Sequence, residues 1–167
     1  MEKNILPNTN TISLVDVRCV ANWYIGKTST IEDAYHGLGT LNVFLYVLSA
    51  FSTEEYGYQF FNDRVVAMDT GPAFEKLVTY YSDQASYLKH QVCDTCVNFE
   101  FTPLQIQLLE KSYNFIFLHK PQRIRDWMTD EDSPWYSCYE RNRLKNNVLS
   151  IEEVCQNIKN ILKHKIK

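Results

Sequence analysis

Residues 40–51 read Thr40-Leu41-Asn42-Val43-Phe44-Leu45-Tyr46-Val47-Leu48-Ser49-Ala50-Phe51, apolar but for Thr40, Asn42 and Ser49. A buried strand of about four to eight residues would stop short of Phe51, so the length of the run predicts a helix. A helix that is apolar nearly all round belongs at the centre of a bundle. Thr40 is its expected N-cap. The run is too short to span a bilayer, which takes about 20 residues.

The sequence outward from this helix predicts more helices. Met1 to Thr11 is polar, and residues 1–13 are expected to be a flexible tail ahead of one helical domain over 14–167. Asp16 is a plausible N-cap for a first helix that places Val17, Val20, Ala21, Tyr24 and Ile25 on one face and ends at Gly26. Lys27 to Gly39 is expected to be loop or short irregular helix, broken by Gly37 and Gly39. Beyond Gly57, the β-branched stretch Arg64 to Met68 suggests one short strand in a small hairpin. Gly71-Pro72 follows, with Pro72 suited to open a helix carrying Phe74, Leu77, Val78, Tyr81 and Leu88.

Val97, Phe99 and Phe101 alternate as in a strand, which leaves residues 91–101 ambiguous. Thr102-Pro103-Leu104-Gln105 reads as a capping box with proline in the first turn, and its helix continues through Leu108, Leu109 and Tyr113. Pro121 opens a helix to Met128, and Ser133-Pro134 opens another. Ser150 to Glu153 is a second capping box, ahead of a stripe of Ile151, Val154, Cys155, Ile158, Ile161 and Leu162. The sum is a mainly α chain, a compact helical bundle with one small strand or hairpin element.

Composition narrows the function. A net charge of -3 argues against nucleic acid as a partner, because that binding draws on Lys and Arg set against phosphates. The basic cluster Lys163 to Lys167 more simply complements a helix C-terminus. The odd count of five cysteines and the lack of a signal peptide point to a reducing, cytoplasmic setting, and no membrane partner is expected. Eleven Tyr and nine Phe can fill a core or furnish a protein interface.

Cys93-Asp94-Thr95-Cys96, with His90 three residues earlier, looks like half of a zinc site. A structural site takes four ligands, and the sequence has no second CxxC and no HxxxH, so two ordinary buried thiols are the plainer reading. No metal and no cofactor are expected. A dithiol redox role lacks the βαβ setting that usually accompanies it. Cys19 and Cys155 lie on apolar helix faces and read as core thiols. No cysteine, paired with His36, His90, His119 or His164, shows a sequence signal for a lowered pKa. Asp130-Glu131-Asp132 reads as a solvated loop leading into a helix N-terminus. Tyr80, Tyr81 and Tyr87 lack the basic interleaving of a base-stacking surface and read as packing or protein contact.

The block from Thr40 to Val47 and on through Asn62-Asp63-Arg64-Val65-Val66-Ala67-Met68-Asp69-Thr70-Gly71-Pro72 resembles the Panacea domain, the family of the SocA antitoxin and the GepA-like proteins of mobile elements. Leu45-Tyr46, Gly57, Phe61, Asp63, Ala67 and Gly71-Pro72 fall in that family's order. Val20 to Ile25 resembles its opening helix, and Thr129, Pro134 and Trp135 its late signature. The likeness runs from about Asp16 to about Ile161. The chain departs from the pattern at Met68, where Trp is usual, at Asp69-Thr70, and at Asp130, where the family has His; the segment Cys93 to Phe101 is private to this chain.

The resemblance implies a non-enzymatic protein that neutralises a toxin, encoded by the adjacent gene, by binding it. Candidate partner contacts are Met68, Thr70, Gly71, Trp127, Asp130 and Trp135, the two tryptophans lying beside polar loops. Two other functions stay open on the residues alone. One is an enzyme or metalloprotein using Cys93 and Cys96. The other is a phage-associated regulatory or structural protein with the same fold.

Overall fold

In the computed structural model, the residues described are 14–29, 37–61, 63–81, 93–143 and 147–164. They form a mainly helical protein with a small antiparallel sheet. The elements, in order, are α1 (Val17–Thr28), α2 (Leu38–Tyr56), β1 (Val65–Met68), β2 (Gly71–Phe74), α3 (Glu75–Tyr80), α4 (Pro103–Leu118), α5 (Pro121–Met128), α6 (Pro134–Tyr136), β3 (Val148–Leu149) and α7 (Ile151–His164). A 3-10 turn spans Asp94–Cys96, and a π-helical stretch, Ser137–Arg141, follows α6.

The apolar run is a helix, and it is central. Every residue of α2 from Thr40 to Ser52 is buried, with α4, α5, α7 and β2 packed around it. Each fully buried Leu along it contributes about 2 kcal/mol by removal from water. Tyr46, Ser49 and Asn42 each find a hydrogen-bond partner. The Tyr46 hydroxyl donates to Asn157 Oδ1 on α7 at 3.1 Å, and the Ser49 hydroxyl donates to the Leu45 carbonyl at 2.9 Å. Asn42 Oδ1 accepts the Phe74 amide at 3.0 Å, tying α2 to the end of β2.

The helix starts one turn early. Gly37, not Thr40, is its N-cap, because the Thr40 and Leu41 amides already donate to the Gly37 carbonyl at 3.1 and 3.2 Å. It stops at Gly57, whose φ of 71° lets its amide close on the Thr53 carbonyl. Gly26 does not end α1 either. The helix runs to Thr28, whose hydroxyl donates to the Tyr24 carbonyl at 2.9 Å. The expected loop over 27–39 is thus shortened at both ends, and residues 30–36 lie outside the described residues.

The expected hairpin is present. β1 pairs with β2 in the register Val65↔Phe74 to Met68↔Gly71, and β3 adds to the other side of β1, giving the order β2-β1-β3. Pro72 does not open a helix. It sits in β2 at the edge of the sheet, where a missing N–H breaks no ladder, and α3 begins at Glu75. Leu88 and Tyr87 lie outside the described residues.

Val97, Phe99 and Phe101 form no strand. Among the described residues no strand pairs with them, and the Val97 and Phe99 amides turn back to the Asp94 and Cys96 carbonyls at 3.3 and 3.1 Å. The Thr102 capping box holds: the Gln105 amide donates to Thr102 Oγ1 at 3.3 Å, and the Thr102 amide donates to Gln105 Oε1 at 2.9 Å. The helix opened by Pro121 ends at Met128 as expected. At the second box the Glu153 amide reaches Ser150 Oγ at 3.5 Å, and the Ser150 hydroxyl donates to Glu152 Oε2 at 2.6 Å. Val154, Cys155, Ile158 and Ile161 form the buried stripe of α7. Among the described residues no helix is long and apolar enough to cross a membrane.

Candidate functional site

The β1–β2 hairpin, the first turns of α2, and α5 enclose a groove. The hairpin turns at Asp69-Thr70 without a positive φ at either residue; that conformation falls on Gly71, with φ of 122°. A Cβ at Gly71 would also lie 3.1 Å from Thr129 Cγ2, at the end of α5. Glycine is therefore required there by backbone and by space.

Arg125 links the three walls. Its Nε and Nη2 donate to the Thr70 carbonyl at 3.2 and 3.1 Å. Its guanidinium lies flat against Gly39 of α2, where an added Cβ would come within 3.1 Å of Nη1. On one side of Arg125 is a cavity of about 350 Å³, lined mainly by Leu38, Val43, Met68, Pro72, Ala73 and Met128. On the other is a cavity of about 290 Å³, bordered by Thr40, Lys120, Pro121 and Gln122. The floor is apolar, and the rim carries the cations Arg125 and Lys120.

Two aromatic side chains hold the hairpin from the core side. Trp135, buried on α6, donates its indole N–H to the Met68 carbonyl at 2.7 Å and stacks on Tyr139 at a ring distance of 5.0 Å. The Tyr139 hydroxyl donates to Asp69 Oδ1 at 2.7 Å. The proline that opens α6 places both rings on the sheet, with the Tyr136 amide donating to Ser133 Oγ at 3.0 Å.

Of the six expected partner contacts, four line, shape or support this groove, and Trp127 and Asp130 are not among its lining residues. Met68 and Thr70 line the groove, Gly71 shapes its hairpin, and Trp135 supports it from the core side. Trp127 packs half-buried on α5 with the Arg123 guanidinium 5.0 Å from its ring centre. Asp130 serves the loop ahead of α6, its carboxylate accepting the Asp132 amide at 3.2 Å and its carbonyl the Ser133 amide at 2.9 Å. Sequence reading missed Arg125, Gly39, Asn42 and Lys120. A lone Arg in the last turn of a short helix is ordinarily a dipole complement. The one signal available was the glycine interrupting the start of an otherwise bulky helix.

The cysteines differ from their sequence reading. Cys19 is not a core thiol but is joined to Cys96 in a disulfide, with Cα atoms 5.0 Å apart. The CxxC is thereby split: Cys96 is taken by α1, and Cys93, Cys138 and Cys155 remain as buried thiols. The physical reason is the clamp made by Asn22, one turn after Cys19. Its Nδ2 donates to the Cys93 carbonyl at 2.8 Å and its Oδ1 accepts the Cys93 amide at 2.6 Å, which lays the 3-10 turn against α1. The expectation of five reduced thiols is corrected at this pair. His90 lies outside the described residues, among which no set of three His, Cys, Asp or Glu side chains is arranged to hold a metal ion.

Comparison with protein families, with curated proteins and with solved structures finds no match to this chain.

Proposed function

We propose that this chain is a non-enzymatic protein-binding module, and that it acts as an antitoxin that neutralises the toxin encoded by its neighbouring gene. The supporting observation is the groove around Arg125. The stretch that resembles the Panacea domain, Val65 to Pro72, supplies the hairpin wall of that groove, and the apolar helix of the same likeness supplies the opposite wall. An apolar floor with a cationic rim suits a partner segment that inserts aliphatic or aromatic side chains and sets a carboxylate against Arg125 and Lys120.

Interfaces of this kind draw most of their energy from a few anchors seated in pockets, and cavities of about 350 and 290 Å³ each accommodate one or two large side chains. A partner is expected to bury roughly 1,600 Å² in total, so the contact extends beyond the groove onto the hairpin and α5.

The test is co-expression with the adjacent reading frame. The proposal expects growth arrest by that frame alone, rescue by this chain, and co-purification of the two. A neighbour that arrests growth and is neither rescued nor bound argues against the antitoxin reading. A lone gene with no toxic neighbour favours a phage-associated protein that keeps the fold without this partner.

A further inference from the structure

Cys96 has two cysteines within bridging reach. One is Cys19, to which it is bonded. The other is Cys93. The Cys96 amide donates to the Cys93 carbonyl at 3.0 Å, a one-turn closure that holds the two Cα atoms within about 7 Å, close to what a disulfide spans. Thr95 lies near both sulfurs, its Oγ1 3.0 Å from Cys93 Sγ and 4.0 Å from Cys96 Sγ. The Asn22 clamp fixes the Cys93 backbone, so the attacking side chain is anchored to the helix that carries the leaving sulfur.

We propose that Cys19, Cys93 and Cys96 form a thiol–disulfide exchange site in which Cys93 is the attacking thiol. The Cys93 thiolate attacks Cys96 Sγ. The bond between the Cys93 and Cys96 sulfurs forms as the bond between the Cys96 and Cys19 sulfurs breaks. The electron pair leaves on Cys19, which takes up the proton that Cys93 gave up. The step is redox-neutral and consumes no outside oxidant or reductant. It exchanges a ring with a sequence separation of 77 for the small CxxC ring, and it releases α1 from its covalent tie to the 3-10 turn.

The surroundings favour the thiolate, the form that attacks. Burial pushes the Cys93 thiol up, but hydrogen bonds from Thr95 and Tyr80 and the nearby Arg18 charge outweigh it and hold the thiol below the ordinary cysteine range. Cys155 is the contrast: burial holds its thiol above that range. Arg18 and Tyr80 also line, with Glu75, Lys76 and Thr79, an open depression of about 450 Å³, which gives small reagents an approach to this corner of the molecule.

The test uses protein purified without reductant, trapped with iodoacetamide, digested in acid and mapped by mass spectrometry. The expected result is two populations, one linked 19–96 and alkylated at Cys93, the other linked 93–96 and alkylated at Cys19. Cys93→Ser should show the 19–96 link alone. Cys19→Ser, in which Cys93 and Cys96 are both thiols, should form the 93–96 link when treated with oxidised glutathione, which takes up the two electrons and is released as reduced glutathione; this keeps the proposal testable should Cys93→Ser fail to fold. Cys93 should alkylate faster than Cys155, because its surroundings hold its thiol below the ordinary cysteine range while burial holds the Cys155 thiol above it. A single 19–96 link in the wild type with Cys93 no faster than Cys155 overturns the proposal. So does the absence of any link among the three cysteines, or a stoichiometric metal held by all three thiolates.

Discussion

Replacing Trp135 tests whether the hairpin is held in place from the core side. The indole N–H donates to the Met68 carbonyl at 2.7 Å, and the ring lies nearly parallel to Tyr139, with 12° between planes. Trp135→Phe keeps an aromatic ring but removes the donor and part of the stacked area. The lost hydrogen bond costs about 1 kcal/mol net, and more where it leaves the Met68 carbonyl short of a partner. The missing ring atoms add a cavity cost of similar size. For a chain of 167 residues each kcal/mol lowers Tm by about 2–4 °C, so Trp135→Phe should lower it by about 4–8 °C. Trp135→Ala, at about 3–5 kcal/mol, should lower it by roughly 10 °C or more.

Tyr139→Phe removes the bond to Asp69, the next residue in the turn, at a cost of about 1 kcal/mol. Because the two rings brace adjacent residues, the double variant should be non-additive by about 0.5 kcal/mol or more. Circular dichroism during thermal and urea unfolding reads the wild type and the four variants. Were Trp135→Phe to unfold at the wild-type temperature, with Tyr139→Phe also neutral, the brace would be discounted.

Opening the Cys19–Cys96 link by Cys19→Ser frees a ring with a separation of 77 and should destabilise the chain by about 4.5 kcal/mol on loop entropy; reductant should bring the wild type to the same urea midpoint. Leu45→Ala, at a fully buried position of α2, should cost about 2–5 kcal/mol in the same assay. Asp16 caps α1 and pairs with Arg18, and the hydrogen bond from that guanidinium leads the effects holding its carboxyl below the usual range, against partial burial. Its folded pKa is depressed, so the stability it adds is present at neutral pH and is lost as pH falls below about 4 through the folded value. Unfolding of the wild type and Asp16→Asn compared across pH should therefore show a gap at neutrality that closes in acid.

The helical fold was legible because its signals are local. The apolar run of α2 forms a central helix, the Thr102 box caps α4, and Pro121 opens α5, each by a mechanism acting within one or two turns. Ends decided by backbone bonding were not legible: nothing in Gly37 marks it over Thr40 as a cap, and the two-residue β3 is too short to leave a pattern. The site was legible only in part. Met68, Thr70 and Gly71 sit in one turn of chain, so a linear reading finds them together. Arg125 and Gly39 meet across 86 positions of sequence and make sense only as a pair. The cysteine pairing was hidden for the same reason, since the CxxC spacing suggests a local partner while Asn22 on α1 directs Cys96 to Cys19.

The account turns on the groove around Arg125 being where a protein partner binds. Titration calorimetry of the product of the adjacent gene against the wild type and Arg125→Glu, both first shown to be folded by circular dichroism, measures this directly. A carboxylate in place of the guanidinium should weaken binding by about thirtyfold or more, the loss of one anchor residue. Equal affinity of the two proteins, or no binding by the wild type, would contradict it.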